Sequence, residues 1–313
     1  MTATDDLIAT AETATGALTR AVEAAAELAY TEITKPGIYE MSEPVYLADP
    51  VPGGSLSSSG AVKLLPPSCP AIYRWERDHP EPSSEAQTFG SATHKVLLGE
   101  GPELFVYEPI DGRTTAGKAL AKDIQQAIAA GLIPVRTADH KKATAMADAL
   151  RRVPAATALF DPATGAAEQS AFWSDPETGV WCRSRYDFLP HTRGGRLIFP
   201  DYKTAAAVDD DAINKAVAKW RYHQKLDFYE RGAVTLGLAD IVSGVLVVQM
   251  KTPPHLVRIV QPDEEARGIA RRRNRRAIDL YAECHATGRW PGFGDDVYSA
   301  ALPAWELYQE QED

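Results

Sequence analysis

Two carboxylates and a lysine lie close together in the middle of the chain. Asp187 precedes the tripeptide Asp201-Tyr202-Lys203 by 14 residues. If the tripeptide is a strand, Asp201 and Lys203 point to the same face, because side chains in a strand repeat every two residues. Paired carboxylates suit a hard divalent cation such as Mg²⁺, and an ammonium beside them can orient an attacking water and offset the charge of a phosphate. These residues therefore predict a site for metal-dependent hydrolysis of a phosphodiester.

An Asp/Glu-x-Lys tripeptide is not specific by itself. With 43 acidic residues in the 313-residue chain, roughly one or two copies arise by chance, and Asp139-His140-Lys141 is a second one. That copy lies in a predicted helix, where residues i and i+2 do not share a face, so it is interpreted as solvated surface. Asp201 and Lys203 alone are also compatible with a surface ion pair, and the elements around them must decide.

Three short segments around the tripeptide have the β-branched and aromatic character of strands. They span residues 171–173, 180–189 and 196–203, with turn sequences at 175–179 and 193–195. Such turns favour an antiparallel hairpin or meander. A hairpin between the second and third strands would bring Asp187 to the face that carries Asp201 and Lys203.

The rest of the chain alternates helices with two further strands. Predicted helices span residues 5–30, 61–65, 72–77, 86–98, 115–130, 138–152, 209–236 and 264–285, and predicted strands span 241–251 and 256–260. This order predicts an α/β (α+β) fold, with a central mixed sheet flanked by helices and an N-terminal helical portion. We divide the chain into an N-terminal helical or irregular extension (1–55) and a main domain (56–313).

Composition and charge restrict the class of protein without naming a function. The net charge is −10, with five arginines between Arg271 and Arg276 on the last predicted helix, so binding of a polyanion would rely on a local basic surface. The three cysteines lie far apart, which argues against a disulfide framework and against a CxxC zinc site. No apolar run reaches membrane-spanning length, and the N-terminus lacks the pattern of a signal peptide, so we expect a cytoplasmic location.

Five segments, in order along the chain, carry a recognisable pattern. The central ones run from Glu168 to Asp187 and from Ile198 to Thr204. The others are Phe89-Gly90-Ser91-Ala92-Thr93-His94, then Tyr222-His223-Gln224 with Tyr229, and Ser57-Ser58-Ser59 followed by Cys69-Pro70 and Trp75. Together they resemble the restriction-endonuclease-like PD-(D/E)xK core of the RecE (exonuclease VIII) type, a group related to phage lambda exonuclease and the RecB nuclease domain. The resemblance covers residues 56–305, and the order of the segments makes it more specific than any one of them.

The resemblance implies roles for the residues of the central segments. Asp187 and Asp201 correspond to the metal-binding carboxylates, and Lys203 corresponds to the catalytic lysine. His94 resembles a metal ligand or a histidine beside the metal, and the backbone carbonyl of Tyr202 completes the coordination. The implied metal is Mg²⁺, or Mn²⁺ in its place.

Other positions are open to two interpretations. Glu168 matches an acidic residue near the water path of the family, or it is a solvated carboxylate at the start of a strand. Gln224 resembles the helix residue that reaches toward the lysine and the substrate backbone, or it is an ordinary helical amide. Arg185 shares a strand face with Asp187, and either contacts phosphate or pairs with a carboxylate. The candidates for DNA binding are Arg185, Tyr222, Gln224, Ser57 and Ser59.

The resemblance implies a Mg²⁺-dependent exonuclease that digests linear double-stranded DNA from a free end, 5′ to 3′, in phage-type recombination. Such enzymes form homo-oligomeric rings and pass the exposed strand to a RecT-type single-strand annealing protein. No membrane partner is expected. An iron–sulfur cluster of the kind some RecB-type relatives carry is not expected either, because Cys284 stands alone near the C-terminus. Two alternatives stay open: a single-strand or structure-specific endonuclease of the same superfamily, and a non-catalytic DNA-binding recombination scaffold.

Overall fold

A computed structural model describes residues 32–81, 84–191, 195–294, 296–303 and 306 of the chain. The predicted helix over 5–30 lies outside these residues. The described strands are β1 (Gly37–Tyr39), β2 (Leu56–Ser57), β3 (Leu104–Tyr107), β4 (Ile133–Arg136), β5 (Gly165–Ser174), β6 (Trp181–Pro190), β7 (Arg196–Ala205), β8 (Ile241–Met250) and β9 (Val257–Val260). The described helices are α1 (Glu43–Leu47), α2 (Ser58–Lys63), α3 (Pro70–Asp78), α4 (Glu85–Leu98), α5 (Thr115–Ala129), α6 (Thr137–Arg151), α7 (Pro154–Leu159), α8 (Asp210–Trp220), α9 (Tyr222–Thr235) and α10 (Glu264–Thr287).

Strands β5 and β6 form a long antiparallel hairpin, with Gly165 opposite Pro190 at its open end. The turn that closes the hairpin is held by Asp175, whose Oδ2 accepts hydrogen bonds from the backbone N–H and the hydroxyl of Thr178. This hairpin was predicted from its turn sequence and is confirmed. Strand β1 pairs with β5 and β2 pairs with β6, so the sheet has the order β1-β5-β6-β2.

Strand β7 belongs to a second sheet. It pairs in parallel with β8, which pairs antiparallel with β9, and helices α8 and α9 form the crossover that a parallel pair requires. The mixed α/β character is confirmed. The predicted hairpin from 180–189 into 196–203 is wrong, because β7 pairs with β8 and not with β6. The predicted central mixed sheet is divided: the described residues form two mixed sheets and the separate parallel pair β3–β4. The hairpin does not form because, where β6 runs beside β7, the backbone N–H of Tyr202 donates to the side chain of Asp187 and not to a backbone carbonyl. We call this place, where β6 runs beside β7, the junction.

The helices lie close to their predicted positions, with one informative exception. Helices α4, α5, α6 and α10 begin and end within two residues of the prediction. The helix predicted over 209–236 is two helices, because Arg221 between them adopts a left-handed backbone conformation with φ of 56°. Such a φ is uncommon for a residue other than glycine, and neither glycine nor proline marks the break in the sequence. The side-chain directions on α9 are therefore set independently of α8.

Residues of the predicted N-terminal extension take part in the first sheet. Gly37 lies opposite Phe172, and Tyr39 lies opposite Ser170. Strands β1 to β4 were not predicted; each has four residues or fewer, too few to establish a period of two. The boundary at residue 55 stays a prediction. In the part of the chain that the structure describes, no helix has both the length and the apolar character needed to cross a membrane.

The largest hydrophobic core lies where both sheets meet helices α2, α9 and α10. Its aromatic side chains pack edge to face or tilted: the rings of Tyr186 and Phe199 are 5.1 Å apart, and those of Trp173 and Phe228 are 5.2 Å apart. Such pairs add to the large free energy gained by burying aromatic surface. Tyr186 lies on β6 directly before Asp187, and Phe199 lies on β7. The core therefore fixes the position of one sheet relative to the other at the predicted site.

Gly232 on α9 lets this helix approach the indole of Trp173. A Cβ at position 232 would lie 2.7 Å from the ring, so we expect Gly232→Ala to lower the free energy of unfolding by about 1–3 kcal/mol through overpacking. Gly268 on α10 is a matched control, because the nearest atom to its added Cβ is a flexible arginine terminus at 3.5 Å. Gly268→Ala should raise stability by about 0.5–1 kcal/mol through helix propensity. Urea unfolding measures both, and equal effects of the two variants would contradict the packing argument.

Candidate active site

Asp187 links the two sheets at the point where β6 runs beside β7. Its Oδ2 accepts a hydrogen bond from the backbone N–H of Tyr202 at 2.6 Å. The Asp187 side chain is 13% exposed, so this hydrogen bond is largely shielded from water. A buried N–H without a partner costs free energy, and here a carboxylate satisfies it. The same contact places Oδ2 of Asp187 3.9 Å from Nζ of Lys203 and leaves Oδ1 facing His94, 3.8 Å from its Nδ1.

Lys203 lies among three oxygens at this junction. Its Nζ is 2.7 Å from Oδ2 of Asp201, 3.1 Å from the carbonyl oxygen of Tyr202 and 3.9 Å from Oδ2 of Asp187. Asp201 and Lys203 are two residues apart on β7 and share a face, as the period of a strand requires. The ammonium is thus surrounded by oxygens, with 24% of its side chain exposed to solvent.

The charges at the junction shift one another's protonation. Burial by itself lowers the pKa of Lys203, but the Asp201 and Asp187 carboxylates outweigh it and raise that pKa above its usual value. Burial and the nearby negative charge of Asp187 raise the pKa of Asp201, against the opposing effect of Lys203. Lys203 is therefore a protonated cation at neutral pH, which suits charge stabilisation and orientation of a water molecule better than proton abstraction.

His94 reaches the junction from α4. Its Nε2 lies 3.2 Å from the carbonyl oxygen of Tyr202, and its Nδ1 lies 3.8 Å from Oδ1 of Asp187 and 3.9 Å from Oε1 of Glu168. The imidazole also packs edge to face against the Tyr202 ring, with centroids 5.3 Å apart. The structure therefore brings His94 to the Tyr202 carbonyl and the Asp187 carboxylate, both of which Lys203 also approaches.

Glu168 completes the acidic side of the site. Ala167 lies opposite Phe188 and Gln169 lies opposite Tyr186, so Glu168 is level with Asp187 across the hairpin. Its backbone is left-handed, with φ of 54°, a strained conformation for a non-glycine residue of the kind that clusters at functional sites. Burial and the negative charge of Asp187 raise the pKa of Glu168, which the neighbouring arginine opposes.

Arg185 pairs with a carboxylate. Its Nε lies 2.7 Å from Oε2 of Glu168, and its Nη1 donates to the carbonyl oxygen of Met41 and to Oγ of Ser170, each at 2.9 Å. The side chain is 11% exposed. Of its two interpretations, the ion pair is therefore the one that the structure shows, and the guanidinium holds Glu168 in place. Binding of DNA by Arg185 stays a prediction.

Gln224 does not reach the site. Its side chain is fully buried, where Nε2 donates to the carbonyl oxygen of Ala61 at 3.3 Å and Oε1 accepts from Nε of Arg273 at 2.9 Å. This amide joins α2, α9 and α10, which favours the interpretation of Gln224 as an ordinary helical amide. Its catalytic and DNA-binding roles stay predictions. Sequence reasoning missed its neighbour Lys225, which lies close enough to Asp201 for each charge to influence the other's pKa.

The remaining DNA-binding candidates lie in two different places. The ring of Tyr222 is beside the site, with its centroid 6.0 Å from Nζ of Lys203. Ser57 caps helix α2, accepting a hydrogen bond from the N–H of Gly60 at 3.1 Å, and its Oγ is 3.2 Å from Oγ of Ser59. These hydrogen bonds show that the hydroxyls of Ser57 and Ser59 stabilise the start of helix α2.

The donor atoms at the junction suit a hard divalent cation by their chemistry. Across the described residues, no three or more His, Cys, Asp and Glu side chains are grouped as ligands of one metal ion. The oxygens at the junction come from the carboxylates of Asp187 and Asp201 and from the Tyr202 carbonyl. A small set of oxygen donors with water in the other positions is how Mg²⁺ binds to proteins. Burial raises the pKa of Asp201 and the negative charge of Asp187 raises it further; a bound cation would offset both effects.

The fold is shared with a solved structure. It is similar to the crystal structure of a protein from Eubacterium rectale described as a putative exonuclease, with a TM-score of 0.54 and 12% sequence identity. The similarity covers 86% of this chain and 98% of that one. No family model matches the sequence, and no curated protein matches it. At this identity the likeness extends to the fold alone, a mixed α/β arrangement.

Proposed function

We propose that this protein is a metal-dependent DNA nuclease with a PD-(D/E)xK active site. The observation that carries the proposal is the convergence of Asp187, Asp201, Lys203 and the Tyr202 carbonyl where the two sheets meet. An Asp-x-Lys tripeptide occurs by chance, as it does at Asp139. The carboxylate of Asp187 reaches the tripeptide at Asp201 from another sheet, and the chance occurrence of an Asp-x-Lys tripeptide does not explain that contact.

The metal would be held by the carboxylates of Asp187 and Asp201 and by the Tyr202 carbonyl, with His94 next to them. Mg²⁺ is the cation that this oxygen set suits best, and Mn²⁺ would serve in its place. When bound, such a cation acidifies a water molecule and offsets the negative charge that develops on the phosphate. The protein supplies the geometry: the Tyr202 N–H orients Asp187, and Lys203 separates the two carboxylates.

Lys203 would stabilise the transition state as a fixed cation. Its raised pKa keeps it protonated, and its contacts with Asp201 and the Tyr202 carbonyl limit its freedom. A preorganised ammonium of this kind needs little rearrangement when charge develops on the phosphate. Glu168, held by Arg185, has a raised pKa and so is a better proton acceptor than an ordinary glutamate. It would take up the proton released by the attacking water, at Oε1.

A local basic patch supports DNA as the substrate despite the net charge of −10. We define the basic patch as Arg221, Arg273 and Arg276. Burial lowers the pKa of Arg273, and the positive charges of Arg221 and Arg276 lower it further, so both charges lie near enough to act on Arg273. In the described residues, no carboxylate lies within 4.0 Å of any of them. Three neighbours on α10 do have such partners: Arg267, Arg271 and Arg275.

We further propose an exonuclease that digests linear duplex DNA from a free end, in the 5′ to 3′ direction. The ordered resemblance to RecE-type nucleases supports this, and the structural neighbour's description as a putative exonuclease agrees with it. The same resemblance supports a homo-oligomeric ring and a RecT-type annealing partner in phage-type recombination. A ring would reconcile a basic lumen with an acidic exterior.

Linear and covalently closed circular duplexes of the same sequence separate an exonuclease from an endonuclease. We expect the linear form to be degraded with Mg²⁺ and the closed circle to stay intact, because an exonuclease needs a free end. End-labelled linear duplex then gives the direction, with label lost first from 5′ ends. Nicking or linearisation of the circle would contradict the exonuclease, and early loss of 3′ label would contradict the direction.

A further inference from the structure

Lys225 is a second ammonium beside the candidate active site. It lies three residues after Tyr222 on α9, so the two side chains share a helix face. Nζ of Lys225 is 5.7 Å from the centroid of the Tyr222 ring, and Nζ of Lys203 is 6.0 Å from the same centroid. The Tyr222 ring therefore lies near two ammonium groups, that of Lys203 on β7 and that of Lys225 on α9.

The two lysines differ in their partners. Lys203 lies against Asp201 at 2.7 Å. For Lys225, by contrast, the described part of the chain offers no carboxylate within 4.0 Å and no hydrogen-bond acceptor, although the side chain is partly buried. Burial lowers the pKa of Lys225, the positive charges of Lys203 and Lys63 lower it further, and the Asp201 carboxylate, more than 4.0 Å away, only partly opposes them. A partly buried cation with no counter-ion in direct contact is unfavourable for folding, and an anionic ligand is what would offset that cost.

We propose that Lys225 binds a phosphate of the DNA strand that enters the site, next to the phosphate at which Lys203 acts. The proposal rests on the function proposed above, which makes the anion a phosphodiester. The ammonium of a lysine is a compact cation suited to a phosphate oxygen. Lys203 forms an ion pair with Asp201, whereas the ammonium of Lys225 is free to donate its hydrogen bonds to the substrate. The Tyr222 ring lies within 6.0 Å of both ammonium groups.

Binding of a fluorescent linear duplex, measured by anisotropy in EDTA between about 50 and 200 mM salt, tests this contact without turnover. Each phosphate neutralised by a lysine adds about one to the slope of log K against log salt. We expect Lys225→Ala to reduce that slope by about one and to raise Kd roughly fivefold to tenfold. Lys225→Arg should retain most of the binding. Lys219→Ala is the matched control, because Lys219 also lies over an aromatic ring, that of Trp220 at 4.8 Å, and should leave Kd and slope unchanged.

Two further measurements separate substrate binding from a structural role. In steady-state digestion, Lys225→Ala should raise KM for linear duplex by a similar factor and change kcat by less than about threefold. Lys225→Met should unfold at the same or a higher temperature than the wild type, because it removes an unpaired charge; a structural lysine would give a lower one.

The outcomes distinguish the two proposals. An active wild type whose Kd and salt slope are unchanged in Lys225→Ala overturns the phosphate contact and leaves the nuclease standing. A loss of kcat with unchanged KM also overturns it, since Lys225 would then act through Lys203 or Asp201. A wild type that binds DNA through Lys225 but never cuts it overturns the nuclease alone. A wild type that does not bind the duplex at all overturns both.

Discussion

Replacing Lys203 with alanine is expected to slow digestion of linear duplex DNA by about 100-fold or more, the usual effect of removing a preorganised group that stabilises charge in the transition state. Lys203 contacts both carboxylates and the Tyr202 carbonyl. Its loss therefore removes the cation at the reacting phosphate and the group that separates Asp187 from Asp201. The initial rate of nucleotide release from labelled linear duplex measures the effect.

Two companion variants keep this result interpretable. Lys203→Ala leaves Asp201 largely buried without its partner, which lowers stability, whereas Lys203→Arg keeps a positive charge at that position. We expect Lys203→Arg to stay folded by near-ultraviolet circular dichroism and still to be much slower than the wild type, because its donors are displaced. Lys141→Ala, in the chance copy of the tripeptide, should keep full activity. A folded Lys203→Ala protein with half or more of the wild-type rate would remove Lys203 from the active site.

Asp187 should show separate effects on activity and stability. Asp187→Ala removes the acceptor of the buried Tyr202 N–H, so we expect the free energy of unfolding to fall by about 1–3 kcal/mol and the digestion rate to fall by about 100-fold or more. Asp187→Asn keeps an oxygen that can accept from Tyr202 but loses the negative charge. It should retain most of the stability and still lose the activity.

Urea unfolding and digestion of linear duplex measure the two effects on the same preparations. Asp139→Asn, again in the chance copy, should change the digestion rate little. If Asp187→Asn were as active as the wild type, the charge of Asp187 would have no role in the reaction. If Asp187→Ala were as stable as the wild type, the link between the sheets would not depend on this hydrogen bond.

Local patterns were enough to predict the hairpin and the shared face of Asp201 and Lys203. The Asp-Pro-Glu-Thr-Gly turn and the two-residue period of a strand act over a few residues, and both features are present as predicted. The way in which β6 meets β7 could not be predicted by the same means. A side chain, that of Asp187, takes the Tyr202 N–H that a backbone carbonyl would take in a hairpin, and the strand pattern does not distinguish the two.

Gln224 was predicted to reach the site, whereas its neighbour Lys225 is the residue that lies there, and the reason is comparable. Consecutive residues on a helix point about 100° apart, so the face that a residue presents depends on where the helix begins. A continuous helix was predicted across Arg221, and the left-handed backbone at that residue resets the direction of every side chain on α9. Gln224 then turns into the core toward Ala61 and Arg273, while Lys225 turns toward the site. Similarly, the sequence alone could not show whether Arg185 contacts a phosphate or a carboxylate. The pairing register of β5 and β6, which places Arg185 near Glu168, was needed for that.

Nucleotide release from uniformly labelled linear duplex DNA tests the proposed active site most directly. The wild type and Lys203→Arg are compared, each with Mg²⁺ and with EDTA. We expect rapid release by the wild type with Mg²⁺, none with EDTA, and release by Lys203→Arg that is slower by a large factor at equal DNA binding. Equal release by the two proteins with Mg²⁺, or no release by the wild type with either Mg²⁺ or Mn²⁺, would contradict the proposed active site.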